Sequence, residues 1–542
     1  MHTRLFLLIF LIQFLTLSCQ TESSPSSSTL VTPTITSVEQ ESDGSVTVKW
    51  IDDNIKRDGF ILEYKKVGET EYHLLATLDR NADSYTIADG LEGGKSYYFS
   101  VITTQSGAKS HRGTKLAGLI PMSQMRRVEI TDLYNSHAGI GLRYQLLNLP
   151  GSIPMKTGML IGTDPMATHN TPGVIAADAP RSTKGESIVQ VIPSTRIPSG
   201  GAKLYVRAYA IPTSGGKVLY SKAREVTPAP QPEPLKMNWK EVTPQNLQGL
   251  VKIYETTDQL SGRNFHAWYA VADPSLTVVK RYDPPTPTPI STQAAGMQDL
   301  LVLTNASYFW LNSTIGLYGD EGLKGANDLT RGSLHAKHPE YKHLYPAMKG
   351  FFGVDEKGNA KVLWGGTTSK GESHLYEHPM PIISGEGIYD TSSFPRQLVG
   401  IPSDFNPLHG VSGGPVLLKH GIVPFSFEEV REGGEYYWSN YELTAYDIFG
   451  KSTLADRTAI GILADGSIVL FVCDGRIAES KGANLLELAR ILSGIGCVDA
   501  LNLDGGGSTN MWVAGEIINH KDIVKATGDT RAIKSTIGFF RK

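Results

Sequence analysis

The sequences SIVLFVCDGR, residues 467–476, and ANLLELARILSGIGCVDALNLDGGGS, residues 483–508, decide the fold of the C-terminal part of this chain. Each contains an apolar run that ends in an aspartate beside glycine, Asp474 and Asp504, and a helical pattern lies between the two runs. A strand, helix, strand unit normally forms a right-handed crossover, which brings the two strand ends to the same edge. The pattern therefore predicts that Asp474 and Asp504 share one cleft.

The helix between these strands is predicted from its ends and from its apolar face. Asn484 and Glu487 have the spacing of a capping box, and the helix is expected to stop at Gly494. The residues of its buried face recur at helical spacing: Leu485, Leu488, Ala489 and Leu492.

The residues around these strand ends indicate a ligand that carries phosphate. The glycines that follow Asp504 can adopt backbone conformations closed to other residues, and their successive N–H groups can form a nest for an anion. Arg457 and Arg476 lie at comparable strand ends, and their planar guanidinium groups suit bidentate contact with phosphate. The glycines and the side-chain donors beside them are Gly505, Gly506, Gly507, Ser508, Thr509 and Asn510.

Length and composition exclude several classes of protein. A chain of 542 residues is expected to form about three or four units. Lys and Arg number 51 against 54 Asp and Glu, and no long run of one sign indicates a nucleic-acid partner. A hydrophobic content of 40% with 56 glycines and 30 prolines is typical of a loop-rich, mostly β protein. The three cysteines are too few for a disulfide framework.

Residues 1–18 are predicted to be a lipoprotein signal peptide. The apolar run 5–17 is too short to span a bilayer comfortably, and Ser18 directly precedes Cys19, as at the cleavage site of bacterial lipoproteins. Residues 19–34 would then form a tether, with Cys19 lipid-anchored to the membrane of the cell envelope, periplasmic or surface-facing. An ordinary secreted chain is the alternative.

Two β modules are predicted to follow the tether. In residues 35–120, Val46, Val48 and Trp50 alternate on one face of a strand, and LEGGKSYYFSV sets Tyr97 where a corner tyrosine is expected. This segment resembles a fibronectin type III domain, and residues 121–228 resemble a looser copy. The modules are interpreted as all-β spacers, with sugar or protein binding as the alternative.

The proline-rich residues 229–234 mark the last predicted boundary. A segment of this composition is expected to be a stiff, extended linker. Residues 235–542 are therefore predicted to form a mixed α+β, strand-rich catalytic domain that folds alone.

The C-terminal domain resembles the phosphodiester glycosidase family through several ordered motifs. Among them are TNASYFW (304–310), HGVSGGPVLL (409–418), DRTAIGI (456–462), VCDGR (472–476) and DALNLDGGGSTNMW (499–512). The resemblance implies a hydrolase that cleaves a sugar-1-phosphodiester at the glycosidic C–O bond, with N-acetylglucosamine as the expected sugar and a phosphate-linked glycan as partner. Ser307 and Ser412 depart from the usual motifs of the family.

Carried over by motif, the resemblance places a set of residues around one cavity. Asp504 would act as base or nucleophile, Arg457 and the glycine nest would hold the phosphate, and Asp474 would orient Arg476. The implied catalytic residues are Asp504, Asp474, Arg457 and Arg476, and the implied substrate-binding residues are Asn305, Ser412, Gly413, Gly414, Gly505, Gly506, Gly507, Ser508 and Thr509.

Other features carry less weight. No cofactor and no metal site is predicted, although a divalent cation is left open, because four scattered acidic residues lack calcium-loop spacing. Those acidic residues are Asp320, Glu321, Asp328 and Asp404. The histidines expected at the surface are His335, His338 and His343. Cys473 and Cys497 either form a disulfide or stay buried thiols.

The competing functions are a lipoprotein that binds glycans without turnover and a phosphodiesterase that cleaves the P–O bond.

Overall fold

A computed structural model describes residues 30–149, 155–182, 187–198, 201–326, 348–379, 393–394, 396–426, 453–520, 524, 526 and 528–542. The predicted Cys19, Asp328, His335, His338 and His343 lie outside the described residues. The chain separates into two compact units, one up to Met122 and one from Ser123 onward, and both are rich in β-strands. The predicted mostly β character is therefore confirmed.

The first unit is a sandwich of two antiparallel sheets. Its strands are β1 (Thr34–Gln40), β2 (Val46–Ile51), β3 (Gly59–Lys66), β4 (His73–Asp79), β5 (Ser84–Ile87), β6 (Ser96–Gln105), β7 (Ala108–Lys109) and β8 (Gly113–Gly118). One sheet has the order β1-β2-β5, and in the other β4, β3 and β6 adjoin, with β7 and β8 paired to β6. Val46, Val48 and Trp50 are buried as predicted. The hydroxyl oxygen of Tyr97 accepts a bond from the Glu92 N–H at 2.9 Å, as a corner tyrosine does.

The second unit begins with another two-sheet arrangement. Its strands are β9 (Arg127–Ser136), β10 (Gly139–Leu147), β11 (Met155–Gly162), β12 (Ile175–Ser182), β13 (Ser187–Pro193), β14 (Leu204–Pro212), β15 (Leu219–Tyr220) and β16 (Arg224–Val226). The sheets have the orders β9-β10-β13 and β12-β11-β14, with β15 and β16 paired to β14. The strand order is thus the same as in the first unit, counted along the chain.

The rest of the second unit contains three further sheets, of seven, five and six strands. Its elements are β17 (Lys240–Glu241), β18 (Val251–Thr256), β19 (Gln259–Leu260), β20 (Arg263–Asn264), β21 (Ala267–Ala272), β22 (Thr277–Tyr282), α1 (Ile290–Ala295), β23 (Leu300–Asn305), β24 (Phe309–Trp310), β25 (Ser313–Thr314), β26 (Gly316–Asp320), β27 (Leu323–Ala326), β28 (Lys349–Val354), β29 (Ala360–Thr367), β30 (Ser373–Tyr376), α2 (Arg396–Val399), β31 (His409–Gly413), β32 (Val416–Leu418), β33 (Arg457–Leu463), β34 (Ile468–Cys473), α3 (Leu485–Ile495), β35 (Cys497–Asn502), β36 (Met511–Val513), β37 (Glu516–Ile517) and β38 (Thr536–Arg541). The sheet orders are β17-β18-β21-β34-β33-β35-β32, β22-β38-β23-β36-β37 and β27-β26-β31-β28-β29-β30.

Helix α3 has the predicted capping box, but it ends later than predicted. The Asn484 side chain accepts from the Glu487 N–H at 2.8 Å, and the Glu487 carboxylate accepts from the Asn484 N–H at 3.0 Å. The helix continues through Gly494 and is capped by Gly496, whose φ of 106° is left-handed. Gly494 serves close packing instead, since a Cβ there would lie 1.9 Å from the Leu235 carbonyl oxygen.

The predicted linker 229–234 lies inside the second unit and is bonded on both sides. Gln231 donates its amide to the His137 carbonyl at 2.7 Å, and the same side chain accepts from the Val423 N–H at 2.8 Å. Farther along, the Glu233 carbonyl accepts from Arg490 Nε at 2.7 Å. These bonds tie the linker to the second sandwich at one end and to the three-sheet region at the other.

We expect the fragment 235–542 to unfold at a lower urea concentration than the fragment 123–542. The shorter fragment loses the Gln231 and Glu233 bonds, and each hydrogen bond contributes roughly 0.5–1.5 kcal/mol to stability. Urea unfolding followed by tryptophan fluorescence measures both midpoints. Equal midpoints would contradict the expectation, and loss of a cooperative transition in the shorter fragment would show that the second sandwich completes its core.

Candidate active site

Strands β33, β34 and β35 place three aspartates at one edge of a sheet. Both β34 and β35 pair antiparallel with β33, so they are parallel to each other, with β33 between them. Cys473 at the end of β34 pairs with Arg457, and Asn502 at the end of β35 pairs with Ala459. Asp474 and Asp504 therefore follow strand ends at the same edge, as predicted, and Asp456, which precedes β33, joins them there.

In the glycine turn after Asp504, the N–H groups of Gly505 and Gly506 bond within the protein, so the predicted anion nest stays a prediction. The Gly505 N–H donates to the Asp504 carboxylate at 3.0 Å, and the Gly506 N–H donates to the Asp456 carbonyl at 2.9 Å. Position 505 requires glycine because another backbone atom approaches closely, and position 506 requires it because of its backbone conformation. A Cβ on Gly505 would lie 2.8 Å from the Asp456 carbonyl oxygen, and Gly506 has a left-handed φ of 61°.

Two exposed arginines, Arg476 and Arg531, flank this glycine turn. A Cβ on Gly506 would lie 3.3 Å from Arg476 Nη2, and one on Gly507 would lie 3.8 Å from Arg531 Nη1. Arg531 also lies over the Phe309 ring, with Cζ 5.5 Å from the ring centroid. Sequence reasoning predicted Arg476 and missed Arg531, which comes from a segment with no recognisable motif. Two guanidinium groups therefore lie beside the glycine turn, and guanidinium groups bind phosphate and carboxylate anions well.

Arg457 is buried, and its guanidinium holds the backbone instead of facing a ligand. Its Nε donates to the Ala483 carbonyl at 3.0 Å, and its Nη2 donates to the Thr453 carbonyl at 2.9 Å. Burial lowers the pKa of this arginine from its usual value. Arg457 therefore joins two loops through Nε and Nη2, and its contact with phosphate stays a prediction.

We expect Arg457→Ala to lower the free energy of unfolding by roughly 1–3 kcal/mol, since the buried Ala483 and Thr453 carbonyls lose their donors. Chemical denaturation of the variant and the parent measures the difference. A variant with parental stability and reduced phosphate binding would restore the role predicted from the sequence.

The Asp504 carboxyl has the electrostatic environment of an acid–base group. Burial raises the pKa of Asp504 to about 6, against the opposing effects of the Ser508 hydroxyl, Arg531 and the Gly505 N–H. The residue is nevertheless partly exposed to solvent. Asp504 therefore changes charge near neutral pH and faces a space that a ligand can reach.

Asn305 fixes the backbone on which Asp504 lies. Its amide donates to the Asp504 carbonyl at 2.6 Å, and its carbonyl oxygen accepts from the Thr458 hydroxyl at 2.7 Å and from the Asn510 N–H at 3.0 Å. Both ends of the amide bond to the protein, so Asn305 positions Asp504, and its contact with substrate stays a prediction.

Ser412, Gly413 and Gly414 also pack against the protein around the site. The buried Ser412 hydroxyl donates to the Leu317 carbonyl at 2.7 Å, and a Cβ on Gly413 would lie 2.1 Å from the Asn502 carbonyl oxygen. The Gly414 carbonyl accepts from the Tyr308 hydroxyl at 3.0 Å. Burial and the Asp504 carboxylate raise the pKa of Tyr308, so this hydroxyl stays neutral beside Asp504.

Asp456, and not Asp474, orients Arg476. The Asp456 carboxylate contacts Arg476 Nε at 2.8 Å and Nη2 at 2.7 Å. Asp474 instead accepts from the His520 N–H at 3.1 Å, and burial raises the pKa of its carboxyl. His520 Nε2 lies 3.5 Å from Asp456 Oδ1, so these two aspartates and the histidine form one buried cluster behind Arg476.

Buried polar atoms without hydrogen-bond partners concentrate around this edge. Buried polar groups in proteins are nearly always bonded, so a concentration of exceptions indicates a site completed by ligand or water. Within the described residues, those near the site are Asn502 Oδ1, Thr509 Oγ1, Asn510 Oδ1, His520 Nε2, Thr530 Oγ1 and Ser535 Oγ. Thr509 was predicted as a ligand-binding residue.

The remaining predicted candidates are the two cysteines and the scattered acidic residues. Cys473 and Cys497 are both free and buried, and burial raises the pKa of Cys497 to about 12. Cys473, on β34, pairs with Arg457, and Cys497, on β35, pairs with Leu463. The two cysteines therefore lie beside opposite ends of β33. Asp320 forms an ion pair with Lys324 at 3.1 Å. No helix among the described residues is long and apolar enough to cross a membrane.

Comparison with known families supplies an independent finding. Residues 352–540 match the model described as phosphodiester glycosidase. The C-terminal region resembles the phosphodiester glycosidases. The match includes Asp456, Arg476, Asp504, His520 and Arg531, and residues 31–118 match the fibronectin type III domain.

Curated relatives of the phosphodiester glycosidase region match over short segments. The human N-acetylglucosamine-1-phosphodiester alpha-N-acetylglucosaminidase is 41% identical over 116 residues, which is 21% of each chain. The SPbeta prophage-derived uncharacterized protein YomE of Bacillus subtilis is 38% identical over 79 residues, 14% of this chain and 12% of YomE. The chain thus spans about a fifth or less of the length of these relatives.

Solved structures also match. The zebrafish N-acetylglucosamine-1-phosphodiester alpha-N-acetylglucosaminidase catalytic domain, auto-inhibited by its pro-peptide, has a TM-score of 0.33 and 16% identity over 57% of this chain and 89% of its own. A hypothetical protein from Synechocystis has a TM-score of 0.35 and 13% identity over 95% of this chain and 100% of its own.

Proposed function

We propose that the phosphodiester glycosidase region hydrolyses a sugar-1-phosphodiester at the bond between the sugar C1 and the bridging oxygen. One observation carries the proposal: Asp504, a carboxyl group with a pKa of about 6, follows a strand beside a glycine turn flanked by Arg476 and Arg531. The guanidinium groups suit a phosphodiester anion, and the carboxylate suits a sugar carbon that develops positive charge.

The two arginines take the part that a protonated carboxylic acid plays in ordinary glycosidases. A phosphate monoester has a last pKa of about 6 and leaves without strong protonation, provided that its charge is neutralised. Arg476, held by Asp456, and Arg531, stacked on Phe309, are placed to receive that charge. The C1–O bond breaks with its electron pair going to the phosphate, and the oxygen of water ends on C1.

Asp504 supplies the electron pair, either by attack on C1 or by removing a proton from water. Its ionised form is the active one in both routes. Asn305 and the Gly505 N–H fix the carboxyl, the first through the Asp504 carbonyl and the second through its side chain. The Tyr308 hydroxyl donates to the Gly414 carbonyl and accepts from the Asn502 amide at 2.9 Å, so it fixes the backbone around the site.

N-acetylglucosamine is the sugar that we propose, because the human and zebrafish proteins similar to this chain are named for that activity. Hydrolysis of N-acetylglucosamine-1-phosphomethyl ester in oxygen-18 water tests the reaction. Label in the sugar supports C–O cleavage, whereas label in the phosphate would show a phosphodiesterase. Binding without product would show a glycan-binding protein.

We also propose a domain organisation for the chain from residue 121 onward. Residues 121–228 have the strand order of the first unit, which supports a second fibronectin type III-like domain, followed by an α+β catalytic domain from residue 235. We propose that both sandwiches act as spacers between the membrane and the catalytic region.

We further propose that Cys19 is acylated and anchors the protein in the cell envelope of a bacterium, because an apolar run ends at Ser18 and a polar segment follows Cys19. Radiolabelled palmitate should enter the full-length protein and be absent from the Cys19→Ala variant. Cys497→Ala is the matched control, since that thiol is buried in the folded chain and should not alter labelling. Equal labelling of the parent and Cys19→Ala would contradict the anchor.

A further inference from the structure

The buried cluster of Asp456, Asp474 and His520 has a geometry that ion pairing does not explain. One ligand atom from each residue lies within 4.8 Å of the others, and the exposed fractions of these residues are 1%, 4% and 6%. His520 Nε2 lies 3.5 Å from Asp456 Oδ1, and Nδ1 lies 3.7 Å from Asp474 Oδ1. A protonated imidazole would donate to carboxylates at about 2.7–2.9 Å.

The Nε2 atom of His520 is a buried polar atom with no hydrogen-bond partner in the described residues. At 3.5 Å from Asp456 Oδ1, Nε2 is too far away for a normal hydrogen bond, and a buried polar atom without a partner is costly unless a ligand satisfies it. The orphaned nitrogen therefore points to a ligand independently of the two acidic residues.

We infer that Asp456, Asp474 and His520 form a binding site for a divalent transition-metal ion, with Zn²⁺ as the best fit. One nitrogen and two carboxylate oxygens are ligands that Zn²⁺ accepts, whereas Ca²⁺ takes six to eight oxygens. Ligand atoms about 2.0–2.2 Å from a tetrahedral ion lie roughly 3.4 Å apart. Nε2 and Asp456 Oδ1 are 3.5 Å apart, whereas the three ligand atoms lie within 4.8 Å of one another, so Asp474 would move closer when the ion binds.

Neighbouring groups already orient the two carboxylate ligands. The Gly475 N–H donates to Asp456 Oδ1 at 3.0 Å, and the His520 N–H donates to Asp474 Oδ1 at 3.1 Å. Supporting bonds of this kind fix the direction of ligands around metal ions. Arg476 and His520 both have left-handed backbone conformations, with φ of 59° and 47°, which are uncommon outside glycine.

The ion would act as a positioning element for the glycine turn. Asp456 contacts Arg476 through its carboxylate, and its carbonyl accepts from the Gly506 N–H. A bound ion would fix Asp456 and so fix both the arginine and the turn. It would also add two positive charges beside Arg476, which favours a phosphate.

Binding of the metal ion alone tests the inference on the full chain. The protein is stripped with a chelator, dialysed and titrated with Zn²⁺ by calorimetry, with Mn²⁺ and Ca²⁺ in parallel. We expect one equivalent of Zn²⁺ to bind and to raise Tm by several degrees, because a ligand that binds only the folded state stabilises it. His520→Gln should weaken this binding by at least ~100-fold, a loss on the upper scale reported for disturbed metal sites.

His420→Gln is the matched control, because His420 also faces an aspartate, Asp499, but its side chain is 72% exposed. This variant should bind Zn²⁺ as the parent does. The inference is overturned if the stripped parent neither binds Zn²⁺ nor changes its Tm, if His520→Gln binds Zn²⁺ as tightly as the parent, or if Ca²⁺ binds more tightly than Zn²⁺. The parent measurements decide even if His520→Gln fails to fold. No substrate is present, so failure here leaves the proposed hydrolysis untouched.

Discussion

Asp504→Asn should lower turnover of an N-acetylglucosamine-1-phosphodiester by at least ~100-fold, the usual scale for loss of acid–base help. The asparagine keeps the shape of the side chain, and Arg476 and Arg531 remain beside the glycine turn, so affinity for a phosphate-containing product should change little. Steady-state kinetics and calorimetric binding of the product measure the two effects separately.

Asp465→Asn is a suitable control, because it makes the same chemical change in the hairpin turn between β33 and β34. It should leave turnover within a few-fold of the parent. If Asp504→Asn behaved in the same way, Asp504 would be a structural turn residue and the proposed mechanism would fail.

The pH dependence gives a second measurement on the same residue. Burial raises the pKa of Asp504 to about 6, so the active carboxylate is lost as pH falls through 6, and turnover should fall about tenfold per unit below that value. This fall in turnover below pH 6 should be absent in Asp504→Asn. Because the folded pKa lies above the unfolded one, ionisation above pH 6 destabilises the fold, and Asp504→Asn should raise Tm at pH 8.

Arg476→Ala should lower kcat/KM by roughly 100- to 1,000-fold, because it removes a donor that contacts the developing phosphate charge. In contrast to Asp504→Asn, it should also weaken product binding. Arg476→Lys should recover only part of the loss, since an ammonium keeps the charge but lacks the planar fork held by Asp456.

Arg112→Ala controls for the loss of a partly exposed, ion-paired arginine elsewhere. Arg112 Nε contacts Glu63 at 2.9 Å in the first unit, and its removal should leave kinetics unchanged. Parental kinetics in Arg476→Ala would mean that the phosphate does not lie at the glycine turn.

Local patterns predicted the framework of the site well. The capping box of Asn484 and Glu487 and the apolar runs before Asp474 and Asp504 depend on neighbours in sequence, and the structure confirms each of them. The end of α3 was misplaced because Gly494 resembles a helix stop. Its small size is required by Leu235, which is distant in sequence.

Local sequence patterns did not predict the charged and titratable residues that surround Asp504 and Arg476. Arg531, Asp456 and His520 come from three separate segments, and only the folded sheet edge brings them to Asp504 and Arg476. Arg457 was assigned to phosphate because it lies at a strand end and a planar guanidinium suits bidentate contact with phosphate. Its burial, which depends on the Ala483 and Thr453 carbonyls, cannot be read from the motif DRTAIGI.

The double hydrogen bond of Gln231 limits how this protein can be recombined. One side chain bonds both His137 and Val423, so the joint between the second sandwich and the catalytic region has a fixed set of partners. A gene fusion that transferred only residues 235–542 to another stalk would break that joint. Transfer of residues 123–542 would keep the joint. The second sandwich therefore belongs to the segment that must be moved together with the catalytic region.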